Sequence, residues 1–128
     1  MSAKEYNCPV EATLDVIGGK WKPLILWWLH QHTCRFAELR RLIPGISEKM
    51  LTQHLRELEA DGILERRVYA VVPPKVEYSL TEYGCSLEQA LQTICEWGKM
   101  HMERIGATER FRDLKPKVKA KARNGGRT

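Results

Sequence analysis

Apolar positions along the 128-residue chain fall into five blocks of helical period and one pair of strand-like runs. Val10, Leu14 and Ile17 follow Pro9 at helical spacing. Proline at a first helical position sacrifices no hydrogen bond, so a helix starts here. Gly18-Gly19 ends it, because glycine takes the left-handed C-terminal conformation at little cost. Pro23 restarts the chain into a second helix, Leu24–His30, whose six-residue run Leu24 to Leu29 is apolar on every side and therefore central. After an extended entry at Arg35-Phe36, Ala37–Leu42 forms a short third helix with Leu39 and Leu42 inward, and Pro44-Gly45 turns the chain. Ser47 is a good N-cap for a fourth helix, residues 47–61, closed by Gly62.

The fourth helix has two faces. Leu51, Leu55 and Leu58 make an apolar stripe, while Lys49, Thr52, Gln53 and Arg56 repeat at i, i+3, i+4 and i+7 on the other side. Two helices joined by a short glycine-containing turn, the second with a hydrogen-bonding face, outline a helix-turn-helix. Two β-prone runs follow, Ile63 to Val72 and Lys75 to Leu80, separated by Pro73-Pro74. Val76, Tyr78 and Leu80 alternate with polar residues, the pattern of a strand buried on one face. The expected fold is mainly α with a small β-hairpin wing over residues 63–80, a winged helix-turn-helix. Thr81 caps a last long helix, residues 81–106, on which Leu87, Leu91, Ile94, Trp97, His101 and Ile105 are three or four apart. That stripe is too long for one small core. It predicts a homodimer through the terminal helices, with Leu14, Leu87, Leu91, Ile94 and Trp97 at the seam.

Composition adds location more than sign. Lys plus Arg number 21 against 16 acids, a net charge of +5. Seven of the bases and only Asp113 among the acids lie in residues 112–128, which leaves 14 bases against 15 acids in residues 1–111. The excess is thus an arm of low complexity, expected to be unstructured and suited to an anionic surface or equally to solvent. No apolar run approaches the roughly 20 residues of a membrane span, and the first residues lack a secretory signal, so the cytoplasm is expected and a membrane is not.

A helix in a major groove needs donors and acceptors on one face near its N-terminus. Gln53 suits adenine, Arg56 or Lys49 suits guanine or phosphate, and Ser47 and Thr52 suit phosphates. On the wing, strand alternation puts Arg66 and Arg67 on opposite faces, so one of the two points at a duplex; Lys75, beside the tip, suits a phosphate or the minor groove. Double-stranded DNA is the expected partner. The rival is a winged helix that binds only protein.

Catalysis is not indicated. His30, His32, His54 and His101 lack a Ser or Cys partner in any recognisable motif. Cys8, Cys34, Cys85 and Cys95 form no Cys-x-x-Cys pair and no zinc-type spacing with histidine, so neither a disulfide framework nor a metal or other cofactor is called for. Cys8 stands just ahead of a helix start, where the aligned peptide dipoles favour a thiolate. It is either a redox-responsive thiol or a small packing residue.

Several of these segments, taken in order, carry a family resemblance. Cys8-Pro9-Val10, Ile17-Gly18-Gly19-Lys20-Trp21 and Arg35-Phe36-Ala37-Glu38-Leu39 resemble the HxlR-type winged-helix transcriptional regulators. So do Ile46-Ser47-Glu48-Lys49-Met50-Leu51-Thr52, Leu55-Arg56-Glu57-Leu58-Glu59, Pro73-Pro74-Lys75-Val76-Glu77-Tyr78-Ser79-Leu80-Thr81 and Trp97-Gly98. The resemblance covers Cys8 to about Trp97. It implies a homodimeric DNA-binding regulator, and for some members a cysteine at the Cys8 position that senses oxidants or electrophiles; a small-molecule effector is the alternative. His32, where a glycine is usual, and the basic arm depart from the pattern.

Overall fold

The computed structural model describes residues 4–109. In chain order the elements are α1 (Pro9–Ile17), α2 (Lys22–Gln31), α3 (Phe36–Leu42), α4 (Glu48–Ala60), β1 (Leu64–Tyr69), β2 (Lys75–Leu80), α5 (Glu82–Cys85) and α6 (Glu88–Ile105). The architecture is mainly helical with one two-stranded antiparallel hairpin, a winged helix-turn-helix. The basic arm, residues 112–128, lies outside the described residues. Among those residues no helix is long and apolar enough to cross a membrane.

The core is built by the central second helix and the inner stripes of the third and fourth. Ile25, Leu26, Trp28 and Leu29 of α2 meet Leu39 and Leu42 of α3 and Leu51, Leu55 and Leu58 of α4. Ile63, Leu64 and Tyr78 close it from the hairpin side. Each fully buried side chain of this size contributes roughly 1.5–3 kcal/mol, so this interior holds α4 at a fixed angle to the wing.

Caps set most of the boundaries. Prolines occupy the first turns of α1 and α2, and the hydroxyl oxygen of Ser47 accepts the backbone N–H of Met50 at 3.1 Å. Gly62, at φ +76°, takes the left-handed turn that releases the chain from α4 into β1. The hairpin register pairs Leu64 with Leu80, Arg66 with Tyr78 and Tyr69 with Lys75.

Three features differ from the sequence expectation. The third helix starts one residue earlier, at Phe36, with Arg35 as N-cap and Glu38 reaching back to the Arg35 N–H at 3.3 Å. The terminal stretch from Thr81 is two helices: α5 stops after Cys85, and α6 begins at Glu88. Gly84 lets α5 press on the strand entry, where an added Cβ would stand 1.9 Å from the Ile63 carbonyl oxygen. Finally, Cys34 forms an isolated bridge to the wing, its N–H donating to Tyr78 O at 3.0 Å and its carbonyl accepting Tyr78 N–H at 2.8 Å. The end of the α2–α3 connection is thus a third, one-residue strand against β2.

Candidate nucleic-acid interface

The 13 residues of α4 divide between core and solvent. Leu51, Leu55 and Leu58 are buried, Ser47, Lys49, Gln53 and Arg56 are exposed, and Thr52 is half-buried. The Ser47 oxygen accepts one hydrogen bond in capping, and its hydroxyl hydrogen is left to donate outward. Gln53 Nε2 donates to Glu57 Oε2 at 3.2 Å, which lays its amide along the helix.

Between α4 and the hairpin lies an open cleft of about 560 Å³. Thr52 and Arg56 from the helix and Arg66 from β1 converge on it, with Glu48 and Glu59 at its edges and Phe36, Val76 and Tyr78 as floor. Strand alternation decides between the two wing arginines. Arg66 faces the cleft opposite Tyr78, whereas Arg67 is held by Glu65 at 2.8 Å. Lys75 is also engaged, 3.7 Å from the Glu77 carboxylate and 4.5 Å from the Tyr69 ring centre. Among the described residues Lys49, Arg56 and Arg66 make no ion pair, so their charge is presented outward. The wing tip beyond is apolar, with Val72 fully exposed ahead of Pro73.

An ion pair absent from the sequence reading anchors this surface. Lys22 of α2 is buried and places Nζ 2.9 Å from Glu57 Oε1. Hydrogen bonds from Lys22 first, then Gln53 and His54, pull the Glu57 carboxyl from 4.5 down to about 2. The same carboxylate therefore fastens α4 to the core and orients Gln53. A carboxyl lowered on folding contributes stability above its unfolded value, and that contribution fades as pH falls from 4.5 toward about 2. The Glu57 side chain is 42% exposed, so solvent screens the pair and Glu57→Gln should cost about 1–2 kcal/mol at neutral pH. In thermal melts the gap between wild type and variant should close on acidification across that window. A gap of constant size from neutral to acid pH would mean that the ion pair contributes nothing.

Two helices outside this cleft, α1 and α6, expose large apolar side chains. On α1, Val10 and Leu14 are 64% and 59% exposed, and on α6 Ile94, Trp97, Met100 and Ile105 are 55–61% exposed. His101 stacks on Trp97 with 5.2 Å between ring centres. None of the 18 residues of α6 is buried. Leu87 and Leu91 turn the other way and pack against the core, so the stripe expected at one seam is divided between two faces. Cys8 is the exposed N-cap of α1, two residues before the exposed Val10, and the segment leading to it is tied down where Lys4 and Tyr6 both bond Asp15, at 2.9 and 2.6 Å. Cys95 is half-buried and lines a small pocket between α2 and α6 with Trp27 and Leu91; Cys85 is half-buried and Cys34 buried.

Comparison with known proteins gives a consistent result. The sequence pattern of the HxlR-like helix-turn-helix family matches residues 16–106. The chain is 59% identical over 105 residues to the uncharacterized HTH-type transcriptional regulator YtcD of Bacillus subtilis (strain 168), covering 82% of this chain and 83% of YtcD. Among solved structures it is similar to the redox regulator HypR in its oxidized form, with TM-score 0.70, 57% identity, and coverage of 73% of this chain and 96% of that one. It is also similar to the reduced form of the transcriptional regulator YodB from B. subtilis, with TM-score 0.65, 40% identity, and coverage of 72% and 91%.

Proposed function

The chain belongs to the HxlR-like helix-turn-helix family of transcriptional regulators, and from that premise we propose that it binds an inverted-repeat operator in double-stranded DNA as a homodimer. The observation that carries this reading is the cleft where Thr52 and Arg56 of α4 converge with Arg66 of the wing. In this reading α4 enters the major groove, Lys49, Gln53 and Arg56 face base edges or phosphates, and Ser47 and Thr52 serve the backbone at the groove edge. Arg66 reaches the duplex from the wing, with Arg67 and Lys75 as weaker phosphate contacts because carboxylates already engage them. Residues 1–111 act as one unit in the cytoplasm, with no catalytic role, and residues 112–128 add nonspecific charge.

Two recognition helices about one helical turn apart, roughly 34 Å, would protect two half-sites on one face of the duplex. Footprinting on genomic fragments selected by the protein should show paired half-sites, and gel shifts across a salt series should show a steep loss of affinity with salt. Failure to bind any duplex at low salt would sink the reading in favour of a protein-interaction module. A single unrepeated half-site occupied by a monomer would remove the dimer from it.

A second reading concerns control of that binding. Cys8 is exposed at the start of α1, close in sequence to Val10 and Leu14 on the apolar face, and one similar structure is that of a redox regulator. Oxidation of the thiol to a sulfenic acid, with an oxidant supplying the oxygen, would change the packing of α1 and so the spacing of the two recognition helices. Mild peroxide should change operator affinity in wild type but not in Cys8→Ser. Equal affinity in all four samples would leave Cys8 a packing residue and point to a small-molecule effector.

A further inference from the structure

The joint between α2, α3 and the wing brings together three metal-ligating side chains outside the surfaces described above. His32, Cys34 and Glu38 each offer a ligand atom, and these atoms lie within 4.8 Å of one another. We propose that His32, Cys34 and Glu38 form a binding site for a zinc-class divalent cation.

The local geometry prepares each ligand. His32 Nδ1 is 2.8 Å from the Thr33 carbonyl oxygen, which can only accept, so the proton sits on Nδ1 and the lone pair on Nε2. A backbone carbonyl bonded to the other ring nitrogen is how metal-bound histidines are commonly oriented. Nε2 then faces Glu38 Oε2 at 4.0 Å, too far for a hydrogen bond but near the spacing of two ligands around one cation. Glu38 divides its work, with Oε1 capping the Arg35 N–H and Oε2 directed at His32. Cys34 Sγ, in a position 1% exposed, lies 3.6 Å from His32 Nδ1 and 3.6 Å from the His32 carbonyl oxygen, so it is the sulfur that must swing toward Nε2 and Glu38 when a cation enters.

Zinc bonds of about 2.0–2.3 Å place tetrahedral ligands roughly 3.3–3.7 Å apart, so atoms that now lie up to 4.8 Å apart need to close by as much as about 1.5 Å. A nitrogen, a sulfur and an oxygen donor suit zinc better than magnesium or calcium, which prefer all-oxygen shells. The His32 and Glu38 side chains are 17% and 33% exposed, which gives the ion an entrance and leaves a fourth position for water. On binding, the Cys34 thiol releases its proton to solvent as the metal–sulfur bond forms. Since the Cys34 backbone is bonded on both sides to Tyr78 of β2, a cation here would brace the wing against the helix-turn-helix.

The test uses the tag-free, chelator-stripped full chain, titrated with Zn²⁺ and separately with Co²⁺. One equivalent of zinc should be retained per chain after desalting. Cobalt should give a thiolate charge-transfer band that survives in the Cys8→Ser/Cys85→Ser/Cys95→Ser variant. Because Cys34 is a core residue whose replacement risks unfolding, the deciding variants are His32→Ala and Glu38→Gln, each expected to weaken zinc by at least about tenfold. Failure to retain zinc, loss of the cobalt band in the triple cysteine variant, or unchanged affinity in both deciding variants would overturn the site.

Discussion

Replacing Trp97 and Ile94 together by Glu should convert the protein into soluble monomers that bind its operator at least about a hundredfold more weakly. Both side chains are more than half exposed in the single chain, so the substitution removes little from the core and should leave the helical signal and monomer melting nearly unchanged. In a two-fold dimer every contact occurs twice, and burying one large apolar side chain contributes roughly 1.5–3 kcal/mol. Losing one such residue from both copies therefore costs the dimer about 3–6 kcal/mol, or roughly 10²–10⁴ in its dissociation constant. The new carboxylates would add like-charge repulsion near the axis. Sedimentation or light scattering reads the mass, and gel shift reads the affinity. A variant that remains a dimer with unchanged affinity would place the interface elsewhere. Leu91→Glu is the informative contrast, because Leu91 packs on the chain's own core and its loss should lower melting whatever the oligomeric state.

That contrast also shows where the sequence was legible. Prolines at Pro9 and Pro23, the Ser47 cap, Gly62 and the alternation of Val76, Tyr78 and Leu80 are local signals with local causes, and the helices they mark stand within about two residues of expectation, while the first strand, expected over Ile63 to Val72, ends three residues early at Tyr69. The terminal helix was less readable. At about 100° per residue, Leu91 and Trp97 differ by roughly 120° around the axis, so a run spaced at three and four drifts from the inward face to the outward one. The break between Cys85 and Glu88 comes just after the close approach of Gly84 to Ile63, a contact 21 positions apart that no periodicity carries. Lys22 with Glu57, and His32 with Cys34 and Glu38, are likewise products of folding: one joins two helices, and the other has a spacing that matches no metal motif. By contrast, the polar face of α4 was visible from four residues at helical spacing. What remained hidden was which cations carboxylates already hold.

That distinction among cations sets the largest expected change in specificity. Arg56 is exposed on α4, makes no ion pair among the described residues, and lines the cleft with Thr52 and Arg66. A guanidinium in that position can meet the two acceptors on a guanine edge with a fork of donors, a match a lysine ammonium lacks. Each such pair discriminates by about 1–3 kcal/mol, and a dimer on an inverted repeat uses it twice. Arg56→Ala should therefore lower the preference for operator over random duplex by about 2–6 kcal/mol, roughly 30-fold to 10⁴-fold, while leaving thermal stability unchanged. Lys75→Ala should behave differently. Its ammonium is shared with Glu77 and the Tyr69 ring, so its loss should weaken operator and random duplex alike, by a small factor, and reduce the slope of affinity against salt. Competition gel shifts with both duplexes at several salt concentrations separate the two behaviours. An equal loss on both duplexes in Arg56→Ala would make Arg56 a phosphate contact and move base reading to Lys49 and Gln53, the other exposed members of the polar stripe of α4.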